Sequence, residues 1–272
     1  MGKNRHMGPL ELDPKILAFY QDRYEEDARL TRTPHGQLEF ARTQQLLRRH
    51  LPAPPALVAD IGGGTGVHAR WLAAAGYSVH LVDPVPKHVE RAGRMAGITT
   101  TVGDARSLDL SDASTDATLL LGPLYHLIEA SERAQALKES VRVTRPGGLV
   151  VAAAISRYAG VLELAALGEL DERSEDEVIE MMVTGVHQDN LDGFTSAYFH
   201  HPDELAVELG AAGLADITIY GVEGPAVGAL DAAGAERTER LLPSAIRCAE
   251  LLETDAALIN ASAQLVGIGW RR

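Results

Sequence analysis

Cysteine and basic side chains are scarce in this sequence. Cys248 is the single cysteine among 272 residues, which excludes an intrachain disulfide and a metal site built on thiolates alone. Lysine and arginine together number 25 against 38 acidic residues, giving a net charge of -13. A chain so short of positive charge is poorly suited to nonspecific binding of nucleic acid or of an anionic membrane. We therefore expect neither partner.

Long hydrophobic runs are also missing. No apolar run approaches the roughly 18 residues that a membrane-spanning helix needs. The N-terminal residues lack the apolar core of a signal peptide, which predicts a cytoplasmic protein. Aromatic residues are few, with 4 Phe, 7 Tyr and 2 Trp, so any cluster of them is informative. The chain is nonetheless 46% hydrophobic and long enough to bury a sizeable core.

Strand-like and helix-like segments alternate from residue 56 onward. Apolar segments predict strands at 56–61, 77–82, 99–103, 117–121, 149–155, 216–221 and 263–270. Helical patterns lie between the early strands. Strands that are apolar throughout and joined by helices indicate an α/β fold with a parallel sheet covered on both faces.

Four regions are expected along the chain. Residues 1–50 form a helical N-terminal arm, with helices at 13–30 and 36–50, and a proline-rich segment ends the arm. Residues 51–156 form the ligand-binding core of the sheet. A mostly helical cap at 157–200 interrupts the alternation, and residues 201–272 return to the sheet.

The most informative segment is VADIGGGTG at residues 58–66. Glycines in a strand-to-helix turn let a ligand approach the backbone, and the helix N-terminus offers free N–H groups. Gly62, Gly64 and Gly66 give the spacing G-x-G-x-G, and Val67 stands where a dinucleotide fingerprint would place its third glycine. Asp60, just before the loop, would repel a diphosphate and attract a cationic cofactor.

This loop and the segments after it resemble the class I S-adenosylmethionine-dependent methyltransferases over about residues 56–156. Asp83 and Asp104 follow the second and third predicted strands at the spacing of that family. LLLGPLYHL at 119–127 is similar to its fourth strand and active-site end, and RVTRPGGLVV at 142–151 is similar to the helix-turn-strand that follows. The resemblance implies a Rossmann-like, doubly wound, mostly parallel seven-stranded sheet with an antiparallel last strand, a helical N-terminal lid and a helical cap insertion.

The resemblance also implies S-adenosylmethionine as cofactor and S-adenosylhomocysteine as product. The family places an acid on the ribose hydroxyls, here Asp83, and another on the adenine amine, here Asp104. The expected cofactor-binding residues are Asp60, Gly62, Gly64, Gly66, Asp83, Pro84, Asp104, Ala105 and Leu121. No metal is expected.

Polar aromatic side chains are the candidates for the chemistry. Tyr24 lies in the arm, Tyr125 and His126 follow the fourth predicted strand, and His200 lies near a later strand. The family layout, in which an N-terminal helix folds over the cofactor, implies a pocket lined by these four residues. Tyr24 and His126 are expected to receive the acceptor's proton, since an unperturbed histidine has a pKa of about 6.5. The structural alternatives are that Tyr24 packs the arm on the core and that His126 hydrogen-bonds at a helix start. His68 is expected to face solvent.

The leading hypothesis is therefore transfer of a methyl group to a small-molecule acceptor, with an aromatic or indole-type metabolite as one candidate. Methylation at carbon, nitrogen or oxygen stays open. One alternative is a non-catalytic cofactor-binding or regulatory protein. Another is a nicotinamide-dependent oxidoreductase, against which Asp60 and the missing third glycine argue. The oligomeric state also stays open, a homodimer included.

Overall fold

The computed structural model describes residues 26–188 and 195–272. Its nine strands form one open sheet, with most neighbouring strands parallel. The strands are Leu57–Ile61 (β1), Ser78–Asp83 (β2), Ile98–Val102 (β3), Thr115–Leu120 (β4), Thr144–Ser156 (β5), Val186–His187 (β6), Ala197–His200 (β7), Leu214–Gly221 (β8) and Gln264–Arg271 (β9). This confirms the predicted Rossmann-like α/β class.

The sheet contains two strands more than the seven that were predicted. Strands β3, β2, β1, β4 and β5 are parallel neighbours, β9 runs antiparallel to β5, and β8 runs antiparallel to β9. These seven are the predicted strands, and their last strand is antiparallel as expected. The two extra strands are short, since β7 joins only the end of β5 and β6 pairs with β7.

Helices cover both faces of the sheet. They are Glu26–Arg32 (α1), Pro34–His50 (α2), Val67–Ala74 (α3), Pro86–Ala92 (α4), Pro123–His126 (α5), Ala130–Val143 (α6), Ala159–Leu167 (α7), Glu175–Thr184 (α8), Pro202–Ala211 (α9), Val227–Ala233 (α10) and Ala235–Leu252 (α11). Most of the predicted arm helix at 13–30 lies outside the described residues. No helix in the described ranges combines the length and the apolar character that a bilayer crossing requires.

The helices outside the early α/β alternation were only partly predicted. The mostly helical cap contains two helices, α7 and α8, because Gly168 ends α7 in a left-handed conformation with φ 74°. Helices α10 and α11 were not predicted at all. Pro243 lies inside α11, and proline in the sequence normally indicates a helix break.

Alternating side chains of the strands fill two apolar layers. Val58 and Leu119 belong to the layer on one face, whereas Ile61 and Leu120 belong to the layer on the other. Because β1, β2, β4 and β5 are parallel, their carboxyl ends meet at one edge of the sheet. Loops at this edge are where open α/β sheets bind ligands.

Helix α2 is fixed to the same edge by a buried cation. The Arg42 side chain is fully buried and its Nη2 donates to Glu253 at 2.5 Å. Its Nε donates to the carbonyl of Val222 at 3.3 Å, and Nη1 donates to Gln45 at 2.5 Å. Arg49 pairs with the same Glu253 from an exposed position. Glu253 therefore pairs with two arginines, one buried and one exposed.

These two arginines give a stability prediction with an internal control. Arg42→Ala should lower the free energy of unfolding by about 3 kcal/mol or more, because it leaves Glu253 partly buried without its main partner. Arg49→Ala should cost about 1 kcal/mol or less, since its ion pair is exposed to solvent. Urea denaturation followed by circular dichroism measures both. Equal losses for the two variants would contradict the assignment of Arg42 as the fixing contact.

Candidate active site

The glycine loop leaves β1 as a chain of left-handed turns. Gly62, Gly64 and Gly66 have φ values of 69°, 55° and 87°. A Cβ on Gly62 would lie 2.6 Å from the Pro123 side chain, and a Cβ on Gly63 would lie 2.7 Å from Asp60 Oδ2. A residue other than glycine at these positions would therefore be strained or would clash with its neighbours. The loop keeps its backbone open to a ligand.

Asp83 at the end of β2 holds this loop in place. Its Oδ2 accepts a hydrogen bond from the Gly64 N–H at 2.9 Å, and its Oδ1 accepts one from the Val85 N–H at 2.9 Å. His88 Nδ1 lies 3.1 Å from the same Oδ1. A carboxylate offers about four lone-pair sites, so acceptor capacity for a ribose hydroxyl remains. The predicted acid is thus oriented before any ligand binds.

Asp104 after β3 has a closer partner than the sequence indicated. Its Oδ2 accepts from Arg106 Nη2 at 2.6 Å, and its Oδ1 accepts from the Arg106 backbone N–H at 2.7 Å. Arg106 also pairs with Glu132. The predicted contact of Asp104 with an adenine amine stays a prediction, and it requires Asp104 to share its carboxylate with Arg106.

A small polar cavity of about 30 Å³ lies between the glycine loop and helix α2. It is lined by Glu39, Thr43, Asp60, Gly62, Gly63, Val67, His68, Leu121, Gly122, Ala153, Gln264 and Val266. The structure therefore brings together three of the predicted cofactor-binding residues, namely Asp60, Gly62 and Leu121. It adds groups from α2 and β9 that sequence reasoning missed.

Tyr125 and His126 lie directly after β4, on the short helix α5. Their ring centroids are 4.6 Å apart, and Tyr125 is buried. A Cβ on Gly122 would be 3.5 Å from both the Tyr125 hydroxyl and the Gly62 carbonyl. The tyrosine hydroxyl therefore lies beside the glycine loop. Burial lowers the pKa of His126 to about 3, so its imidazole is neutral at physiological pH.

This geometry agrees with the comparison to known proteins. Residues 58–148 match the family model of a methyltransferase domain. That stretch covers β1 to the start of β5 and includes the glycine loop, Asp83, Asp104 and Tyr125. Over residues 58–148 the chain carries a methyltransferase domain, as the resemblance to the class I S-adenosylmethionine-dependent enzymes implied. S-adenosylmethionine is the cofactor of this class, as the sequence predicted.

Individual relatives of this methyltransferase domain differ in how much they share with the chain. An uncharacterized methyltransferase of Mycobacterium tuberculosis is 33% identical over 130 residues, which are 47% of this chain and 51% of that protein. The chain thus spans about half the length of this curated relative. A ubiquinone biosynthesis O-methyltransferase of Methylocella silvestris is 28% identical over 246 residues, covering 82% of this chain and 90% of that protein.

A solved structure shows the same methyltransferase fold. It is a SAM-dependent methyltransferase of Thermotoga maritima, described as a possible histamine N-methyltransferase. The TM-score is 0.57 at 19% identity, with 93% of this chain and 98% of that chain covered. The sheet and the helices that cover it in the described residues therefore form a known fold.

The residues of this methyltransferase domain fit the cofactor. The left-handed glycines leave a backbone strip without side chains, and the cofactor's adenosine and amino acid parts need such a close approach. Asp60 is buried beside the strip and suits an ammonium group. Asp83 already has its carboxylate turned toward the loop.

His68 corrects a sequence prediction. The expectation that it faces solvent was wrong, since His68 lines the cavity. Its Nδ1 accepts a hydrogen bond from the Trp71 indole at 3.3 Å, and its ring centroid is 5.3 Å from that of Phe40. Burial lowers the pKa of His68 to about 4. The ring is therefore neutral with its hydrogen on Nε2. The available signal was the three-residue spacing of His68 and Trp71, which places them on one helix face.

The two remaining candidates have different outcomes. Tyr24 lies outside the described residues. His200 is completely buried, with Nε2 at 3.3 Å from Glu208 Oε2 and its ring 4.7 Å from that of Tyr198. Arg133 lies 3.7 Å above the Tyr198 ring and donates to the carbonyls that follow His126. These contacts support the active-site loop, and a direct role of His200 toward the acceptor stays a prediction.

The two buried histidines should show their low pKa values directly. In protein labelled with ¹³C-histidine, the rings of His68 and His126 should remain neutral from pH 7 down to about pH 5, since protonation would place a charge in a buried environment. His68→Gln and His126→Gln assign the two signals. In 8 M urea the same rings should titrate near pH 6.5.

The low pKa values of His68 and His126 also determine how the stability of the protein depends on pH. A histidine whose folded pKa is below its unfolded pKa stabilises the protein above about pH 6.5, and this contribution is lost as the pH falls toward the folded value. Titration of either ring in the folded protein with a midpoint near 6.5 would contradict its buried, neutral state.

Proposed function

We propose that this protein transfers the methyl group of S-adenosylmethionine to a small-molecule acceptor, with aromatic and indole-type metabolites as the first class to examine. The observation that carries the proposal is the Tyr125–His126 pair at the end of β4, in which Tyr125 is buried beside the glycine loop and His126 is half-buried. The net charge of -13 argues against a nucleic acid as acceptor. The Methylocella relative, by name a ubiquinone biosynthesis O-methyltransferase, supports a small-molecule acceptor.

Several residues would hold the cofactor. Asp83 would accept hydrogen bonds from the ribose hydroxyls, and the Gly62–Gly66 backbone would approach the amino acid part. Asp60 suits the ammonium group. Leu121 and Pro84 would provide apolar contacts. When bound, S-adenosylmethionine supplies a methyl group activated by its sulfonium charge.

The remaining work of the protein is to position the acceptor and manage its proton. Holding the acceptor's nucleophilic atom in line with the methyl group supplies much of the rate of such displacements. The low pKa of His126 makes it a weak base, so it serves mainly as a hydrogen-bond acceptor that orients an O–H or N–H. Proton loss then falls to solvent, reached directly or through the Tyr24 hydroxyl, so a pKa of about 3 argues against the expected role of His126 as the proton acceptor.

The cofactor assignment predicts the effect of one substitution. Asp83→Ala should weaken binding of S-adenosylhomocysteine by about 1.5–3 kcal/mol, because charge-assisted hydrogen bonds are lost. Isothermal titration calorimetry measures the change. Asp112→Ala is the matched control, since it also removes one aspartate but from an exposed site. Unchanged affinity of the Asp83 variant would remove this residue from the site, and tighter binding of NADH than of S-adenosylhomocysteine would refute the proposed activity.

Substitutions of the residues expected to contact the acceptor give a second prediction. With an acceptor found by screening indoles, phenols and amines, His126→Ala should lower kcat roughly 10²-fold because the acceptor is no longer oriented, and Tyr24→Phe should do the same if proton removal limits turnover. Their double variant should lose less than the product, because residues acting as a unit are not additive. Affinity for S-adenosylhomocysteine should barely change. Tyr77→Phe is the control, because the Tyr77 hydroxyl donates a hydrogen bond to the remote Pro52 carbonyl.

Two outcomes separate this proposal from its alternatives. Near-normal rates in both single variants would favour catalysis by positioning alone. Tight binding of S-adenosylhomocysteine with no methylated product from any acceptor would favour the non-catalytic, regulatory alternative.

A further inference from the structure

We propose that His35, Glu39 and Glu223 form a binding site for a divalent metal ion of the zinc type, next to the cofactor site. One ligand atom from each of the three residues lies within 4.8 Å of the other two. His35 Nε2 and Glu223 Oε1 are 3.5 Å apart. Ligands at about 2.0–2.1 Å from a tetrahedral zinc ion are separated by about 3.3 Å. The cluster therefore needs only a small contraction to bind such an ion.

The sequence explains how helix α2 contributes two ligands. Thr33 caps the helix by accepting the Gly36 N–H at 2.9 Å, and Pro34 occupies its first turn. His35 is thereby fixed in the first turn. Glu39 follows four residues later, so the two side chains lie on one face of the helix. A histidine and a carboxylate at this spacing can bind one metal ion together.

Glu223 approaches from the end of β8. It is completely buried, and its Oε2 accepts the Gln264 N–H at 2.9 Å. Its Oε1 is also buried and has no well-formed hydrogen bond among the described residues, with His35 Nε2 at 3.5 Å. Burying a carboxylate oxygen without a hydrogen bond is costly unless a cation compensates it. This oxygen is directed toward His35, so the compensating cation belongs between them.

Asp231 completes the arrangement from helix α10. Its Oδ1 accepts the His35 backbone N–H at 3.0 Å, and its Oδ2 lies 3.4 Å from His35 Nδ1. A carboxylate on the second ring nitrogen is the usual support of a metal-binding histidine, because it fixes the ring and its tautomer. Nε2 is thereby left for the ion.

Two cations already present compete with a metal. Arg29 binds both oxygens of Glu39, so Glu39 would ligate through a remaining lone pair. A proton on His35 is the second competitor. Burial opposes that proton, but the neighbouring carboxylates of Asp231 and Glu223 outweigh burial and raise the pKa of His35 to about 11. A zinc ion must therefore displace this proton, and the experiment decides whether it does.

The location gives the site a role. Glu39 also lines the cavity that contains Asp60 and Gly62. An ion bound to Glu39 would have coordination positions not filled by protein, and an acceptor oxygen or nitrogen could occupy one of them. This role rests on the proposed function, whereas the metal site itself does not.

Zinc alone is the probe for the test. Full-length protein stripped with a chelator and dialysed should bind one equivalent of Zn²⁺ in isothermal titration calorimetry. His35→Ala and Glu223→Gln should each weaken this binding tenfold or more. His80→Ala is the matched control, because it removes a histidine on β2 that hydrogen-bonds to Thr99 and Thr101, and it should bind zinc as the wild type does.

Cobalt provides a second readout that does not depend on the variants. Co²⁺ bound by this set should give visible absorption of a four-coordinate site, which His35→Ala should abolish. Absence of stoichiometric zinc binding would overturn the proposal, as would binding that His35→Ala and Glu223→Gln leave unchanged. Calorimetry of S-adenosylhomocysteine with the metal-free protein keeps the two proposals apart, since its binding there supports the methyltransferase assignment whatever zinc does.

Discussion

The hydrogen bond from the Gly64 N–H to the Asp83 carboxylate is the contact on which the cofactor site depends. It ties the glycine loop after β1 to the end of β2, and Asp83 also receives the Val85 N–H. The loop can take this course because Gly62, Gly64 and Gly66 adopt left-handed conformations. A carboxylate that is fixed by its own backbone neighbours needs no reorganisation when a ribose arrives, and such preorganisation favours binding.

Helix α2 turns this open edge into an enclosed site. Arg42, buried and paired with Glu253, attaches the helix to the C-terminal half of the chain. Glu39 and Thr43 of the same helix line the cavity that also contains Asp60. Phe40 of α2 packs against His68, and burial lowers the pKa values of His68 and His126 and keeps both rings neutral. Packing around the glycine loop therefore sets the protonation of the candidate site residues.

The sequence predicted the core of this arrangement well. Continuous apolar strands and a glycine turn are local signals, so the parallel sheet and the loop followed from them, whereas the assignment of Asp83 came from the resemblance to a known family. Contacts between distant residues left no such signal. The pairing of Glu223 with His35 and the burial of His68 depend on tertiary packing, and Arg106 binds Asp104 through a geometry that spacing alone does not reveal. Helix α11 was not predicted, and it contains Pro243, a residue that normally disfavours a helix interior.

A crystal structure with S-adenosylhomocysteine tests the central claim most directly. The account predicts the ribose hydroxyls on the Asp83 carboxylate, the amino acid part along the glycine loop near Asp60, and the sulfur facing the space beside Tyr125 and His126. A ribose bound away from Asp83, or a sulfur directed away from Tyr125 with the acceptor space on another side of the sheet, would contradict it.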